Sequence, residues 1–214
     1  MPDIFDEVKE ELRAEKARKL WVRYGGAMAG VALVALVGIG GWQAWRWNQQ
    51  REAGQVAVAF LQENRAAEVP GADLKAAGER FAAIAQTAPE GYRILAKLRA
   101  AALKAETGER DAALALWNEV SGDSRAPQLY RDLASLMWAL HGLDTQDPAA
   151  LDSRLAPLVG TAWGASAREL QALVAIRRGA TAEAKKNLEA LAADVTAPAG
   201  VRERAGRVAA GLGV

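Results

Sequence analysis

Apolar residues recur along most of this chain at three- and fourfold spacing, and one stretch departs from that rule. Tyr24 to Trp45 is an uncharged run of 22 residues set between Arg23 and Arg46. At about 1.5 Å per residue it spans roughly 33 Å as a helix, enough to cross a hydrocarbon core of about 30 Å. The pattern therefore predicts a single transmembrane helix over 24–45. A cleaved export signal has an apolar centre of only about 7–15 residues followed by small side chains. Gln43, Ala44, Trp45, Arg46 and Trp47 offer no such site. Trp21 and Tyr24 at one end, and Trp42, Trp45 and Trp47 at the other, read as anchors at headgroup level.

Cations set the orientation. Lys9, Arg13, Lys16, Arg18, Lys19 and Arg23 precede the run, against Arg46, Arg51 and Arg65 after it. Lys and Arg resist translocation, so the N-terminus is expected in the cytoplasm and the rest of the chain outside. Within the run Gly26 and Gly30 form a small-xxx-small pair that permits close helix approach and so a homodimer. The blander reading, that glycine is simply common in membrane helices, is preferred. Before the run, Ile4, Phe5, Val8 and Leu12 make a narrow apolar stripe among mixed charges. It could lie on the membrane surface or a partner, but a solvated helix is the preferred reading.

After the run the helix is expected to continue through Val56 and Phe60 to about Ala67, where Val69, Pro70 and Gly71 stop it. One-sided stripes then follow each other: Leu74, Ala77, Phe81, Ile84; Leu95, Leu98, Ala102, Ala105; Ala113, Trp117, Val120; Leu129, Leu133, Leu136, Leu140. Further on come Leu151, Leu155, Leu158; Trp163, Ala167, Leu170, Val174; Ala184, Leu188, Leu191; Val201, Ala205, Val208. Stripes on many short helices mean stacked helical hairpins. The fold class is all-α: a cytoplasmic segment over 1–23, the membrane helix over 24–45, a stalk helix and linker over 46–70, and a helical-repeat α-solenoid over 71–214.

The repeat can be read directly. Gly108 is followed by Ala113, Trp117, Val120 and Pro127, and Gly179 at the same offsets by Ala184, Leu188, Leu191 and Pro198. The copies lie 71 residues apart, close to twice the tetratricopeptide period of about 34. Glycine is expected to end one helix in a left-handed turn, alanine to let two helices approach, and proline to open the next unit. Ala77, Phe81, Ile84 and Pro89 form a fainter third copy. Between His141 and Gly160 the repeat degenerates, and Asp147 before Pro148 marks the start of a shortened helix.

Charge and composition narrow the function. After residue 45 the chain holds 21 Lys and Arg against 20 Asp and Glu, which excludes the basic face that nucleic acid needs. With no cysteine there is no disulfide, thiolate metal site, cysteine nucleophile or lipidated cysteine. The sole histidine, His141, sits before Gly142 at an expected helix end, where a cation suits the dipole. Gly164, Ala165, Ser166, Ala167 and Arg168 begin like a nucleophile elbow but lack its final glycine and its strand. Gly38 to Gly41 lack the Lys and Ser/Thr of a phosphate loop. Asp144, Asp147 and Asp152 fit no calcium loop. Trp117, Trp138 and Trp163 read as hairpin core in preference to an aromatic binding face. No enzyme, metal or cofactor is expected.

The chain resembles the YfgM-like, tetratricopeptide repeat-like proteins of bacterial inner membranes, ancillary to the Sec translocon. The carriers are Gly41, Trp42, Trp45, Trp47 and Gln50, then Ala57, Phe60 and Leu61; Ala88, Pro89, Gly91, Tyr92, Leu95, Ala96, Leu98 and Ala101; Trp163, Ala167, Arg168, Glu169 and Leu170; Gly179 and Ala184; and Asp194, Ala197, Pro198, Gly200, Val201, Arg202, Arg204 and Ala205. The resemblance implies a single-pass inner-membrane protein with a periplasmic scaffold domain. Sec channel subunits, membrane-anchored periplasmic chaperones and exported polypeptides are the implied partners. A scaffold for cell-envelope or division-site assembly is the alternative. The family supplies no catalytic residues, and no partner-binding residue follows from a motif.

Overall fold

The stripes fold into the helices they predict. The computed structural model describes residues 4–213, and of their side chains those from Arg18 onward except a few within the first helix. The elements are α1 (Ile4–Ala67), α2 (Leu74–Thr87), α3 (Glu90–Glu106), α4 (Arg110–Gly122), α5 (Gln128–Gly142), α6 (Pro148–Leu155), a 3₁₀ turn (Ala156–Gly160), α7 (Gly164–Arg177), α8 (Thr181–Ala193) and α9 (Ala199–Gly211). No strand occurs among the described residues. The chain divides into two compact units, Met1–Glu52 and Ala53–Val214.

In the first unit, every described side chain from Trp21 to Trp47 is exposed. α1 supplies one candidate helix that is long and apolar enough, by length and composition, to cross a membrane. The stripe of Ile4, Phe5, Val8 and Leu12 lies outside the described side chains.

In the second unit the end of α1 joins the helical domain. Phe60 meets Phe81 edge-on at 5.2 Å and Tyr92 at 6.0 Å between ring centroids. Ala67 is buried with Ala77 and Phe81. Arg80 Nε donates to Glu63 Oε2 at 2.5 Å. Residues 53–67, expected within a stalk and linker over 46–70, thus bring Phe60, Glu63 and Ala67 against α2 and α3.

Each later helix packs on its neighbour in sequence, and α3, α5, α7 and α9 also pack on one another in that order. The odd-numbered helices so form one layer, with α4, α6 and α8 behind it. Three buried clusters fill the gaps. Ala113, Trp117, Val120 and Ala134 close α3, α4 and α5; Leu136, Leu151, Leu155 and Leu170 close α5, α6 and α7; Ala172, Leu188, Leu191 and Ala205 close α7, α8 and α9.

The 71-residue offset is kept in the backbone. Gly108 and Gly179 both have positive φ, +85° and +81°. At the first, the Gly108 N–H donates to Ala105 O and the Glu109 N–H to Lys104 O. At the second, Gly179 donates to Ile176 O and Ala180 to Ala175 O. These are two Schellman turns, which satisfy carbonyls left open at a helix end and favour the residue without a Cβ. Ala113 and Ala184 are wholly buried where the hairpin helices cross. Pro89, Pro127 and Pro198 stand at the N-caps of α3, α5 and α9 with φ of −54°, −54° and −55°, each behind a buried alanine.

The degenerate middle is a shortened helix, as its punctuation predicts. Ala150 N donates to Asp147 Oδ2 at 3.1 Å, and Pro148 holds the first helical position. Leu151, Leu155 and Leu158 are all buried. Gly164 opens α7 directly against the 3₁₀ turn. A Cβ there would lie 2.2 Å from Val159 O, so close backbone approach and not a nucleophile elbow explains this glycine.

Candidate functional site

The anchors predicted from sequence remain on the surface of α1. Trp21, Tyr24, Trp42, Trp45 and Trp47 are exposed. Trp42 and Trp45, one helical turn apart, approach to 5.6 Å, and the Arg51 guanidinium lies 3.9 Å over the Trp47 ring. Gly26 and Gly30 have nothing within 4 Å of where a Cβ would project. The repeat-defining residues are structural: Gly108 and Gly179 make the turns, while Ala113, Trp117, Ala184 and Leu188 are buried in two separate hairpin cores.

The other aromatics and polar candidates are also accounted for by packing. Trp163 Nε1 donates to Leu129 O at 3.2 Å, tying α7 to α5. Trp138 lies under the Arg154 guanidinium at 4.3 Å, and Arg154 Nη2 donates to Asn118 Oδ1 and Ser121 Oγ. His141 does fall in the last turn of α5, but the expected cationic role is corrected. Its ring stacks on Trp117 at 4.6 Å, and burial followed by the nearby Arg110 pushes its pKa below the ordinary value. The neutral imidazole is thus the favoured form.

The turns after α4 and α8 share a second device. Asp194 Oδ1 accepts from Thr196 N at 3.0 Å and Thr196 Oγ1 at 2.5 Å, while Oδ2 accepts from Arg168 Nη2 at 2.7 Å. Asp123 takes the equivalent place and is held by Arg125 through its backbone N–H, Nε and Nη2. Hydrogen bonds from Thr196, then from Arg168, bring the Asp194 pKa from 3.8 down to about 2. Because the folded value is the lower one, this turn favours the folded chain above about pH 4, and the contribution fades as pH falls towards 2. Carboxyl NMR titration should find Asp194 half-protonated near pH 2; a value near 3.8 would mean the clamp does not form.

The feature that can bind something lies elsewhere, on the odd-helix layer. Leu136 and Leu140 of α5, Leu170 and Leu173 of α7, and Val208 of α9 line a groove of about 600 Å³. Ser166, Glu169, Arg204 and Arg207 complete its lining. Arg204 Nε and Nη2 grip Glu169 Oε1 and Oε2 at 2.8 and 2.7 Å, a bidentate pair joining α9 to α7. Hydrogen bonding to Glu169 raises the Arg204 pKa further above its ordinary value. Leu140 remains 44% exposed, a large apolar side chain facing solvent. The stripe analysis placed Leu136, Leu140 and Leu170 on helix faces but could not say which face the stack would leave open. No group of His, Cys, Asp or Glu among the described residues is arranged to hold a metal ion.

Two layers of hairpins repeating over 71 residues, with an apolar groove on one layer, define a helical-repeat module built to bind other proteins. The chain belongs to the tetratricopeptide repeat-like domain family, whose model matches residues 18–203. Domains of this family are typically non-catalytic protein-interaction modules. No curated protein and no solved structure matches the chain.

Proposed function

We propose that this protein is a membrane-anchored adaptor whose helical domain binds other proteins on the far side of the bilayer from its N-terminus. The observation that carries the proposal is the union in one chain of an exposed apolar helical stretch, flanked by Trp and Tyr, with a repeat domain bearing an apolar groove. In this reading residues 24–45 cross the bilayer. Trp21 and Tyr24 sit at one interface, Trp42, Trp45 and Trp47 at the other, and Arg51 keeps the Trp47 ring among headgroups. Gly26 and Gly30 offer a face on which two copies could pair their helices.

The proposed location is a bacterial inner membrane, with the domain in the periplasm and exported polypeptides as clients delivered beside the Sec channel to membrane-anchored chaperones. Support for that finer reading is the resemblance carried by the tryptophan-rich end of the span and by the Asp194 to Ala205 segment. The test is photo-crosslinking of the full chain in intact membranes, with identification of its neighbours. Channel subunits together with periplasmic chaperones are the expected result. Recovery of envelope-assembly proteins without them would transfer the assignment to a structural scaffold, and extraction of the chain by alkaline wash would remove the anchor altogether.

A further inference from the structure

We propose that the groove between α5, α7 and α9 accepts a protein segment presenting aliphatic side chains beside a carboxylate, with Arg207 as the residue that selects the charge. This rests on the reading of the domain as a protein-binding module. Five aliphatic side chains make the floor, yet Leu140 and Arg204 stay substantially exposed. A pocket for a small molecule buries about 70–90% of its ligand. An open trough of this kind instead covers one face of a segment laid along it, the geometry used when an amphipathic helix docks in a groove.

The charge follows from counting partners. Glu169 is already held by both arms of Arg204. Arg207 lines the same groove and enters no ion pair among the described residues. The lining therefore carries one uncompensated positive charge, which a carboxylate complements.

The chain contains its own control for this argument. Seventy-one residues upstream of Glu169, Arg204 and Arg207 stand Leu98, Leu133 and Leu136, all leucine. The fold is thus built in the first copy with apolar side chains at all three positions. A partly buried ion pair is seldom more stabilising than a packed apolar pair, so stability alone does not call for the replacement. All three charged groups line the groove, on its α7 and α9 sides, and recognition accounts for their standing there in place of leucine.

The test uses the full chain in nanodiscs of zwitterionic phospholipid and short fluorescent peptides on a Gly-Ser background. One carries leucines on a single helical face and a glutamate, the second lysine in its place, the third serines for the leucines. Anisotropy, corrected with empty nanodiscs, should show the Leu/Glu peptide binding about tenfold more tightly than the Leu/Lys peptide, with the advantage shrinking in salt. The serine peptide should not bind. Arg207→Glu should reverse the preference between Glu and Lys, and Leu140→Asp should abolish binding of both; each site is exposed, so melting should be unchanged. Equal binding of the two charged peptides to the unaltered chain would overturn the proposal without recourse to any variant. So would displacement of the peptide by laurate at lower concentration than by unlabelled peptide, which would indicate a lipid as occupant. Protein crosslinks that persist in Leu140→Asp would sink the groove assignment while leaving the adaptor reading standing; their absence from the unaltered chain would sink the adaptor reading itself.

Discussion

Removing residues 1–45 should leave a chain that folds and stays in solution, whereas removing residues 1–70 should leave one that melts about 10 °C lower or worse. The first cut discards the exposed apolar run and keeps the part of α1 that packs. The second also takes Phe60 and Ala67, which cover Phe81 and Ala77, and the carboxylate of Glu63 that receives Arg80. Phe60 is partly buried and Ala67 buried, so their loss together costs about 3 kcal/mol, and for a domain of this size each kcal/mol lowers the melting temperature by about 2–4 °C. Uncovering the apolar face of α2 adds a route to aggregation. Circular dichroism melts of the two truncations in the same buffer decide the matter. Equal melting temperatures would show that 53–67 is a linker after all, and membrane fractionation of the shorter cut in high salt would deny the anchor.

Trp117→Ala should cost about 3–5 kcal/mol, a large fraction of the stability of a domain of ordinary size. Trp117 is 1% exposed at the meeting of α3, α4 and α5, and its ring carries the stacked imidazole of His141. Trp117→Leu installs the residue found at the matching position of the second copy, Leu188, and should recover part of the loss. The same change acts on His141. With the indole gone, water reaches the imidazole, so its pKa should rise towards the ordinary value from its present position below it. The folded chain currently favours the neutral ring, so stability should fall as pH drops through the histidine range, and this dependence should weaken in Trp117→Ala. Denaturant melts at two pH values with imidazole NMR would check both parts. An unshifted His141 resonance would mean the stack does not shield it.

Much of the architecture was legible because helical repeats write it locally. The period of the stripes, the prolines at N-caps and the glycines at +85° and +81° each concern a few consecutive residues. Asp147 and Pro148 located even the shortened helix. What escaped was long-range. Phe60 looked like part of a stalk because its partners, Phe81 and Tyr92, arrive only when α2 and α3 fold back. His141 looked cationic because its stacking on Trp117 is invisible until α4 lies on α5. The groove was missed for the same reason: Leu140 belongs to a stripe that reads as core, and only the packing of α5, α7 and α9 decides that it remains open. One local signal was present, the appearance of Glu169, Arg204 and Arg207 where the upstream copy has leucine.

The shortest helix of the domain stands behind its binding surface. α6 has 8 residues and ends in the 3₁₀ turn, and it fills the space between α5 and α7, two of the three helices that line the groove. In a stack of repeats curvature accumulates from small rotations between neighbours, and α6 packs on both α5 and α7. Leu136 and Leu170 belong both to the core that α6 closes and to the lining of the groove, so the support of the surface and its chemistry meet in the same two leucines.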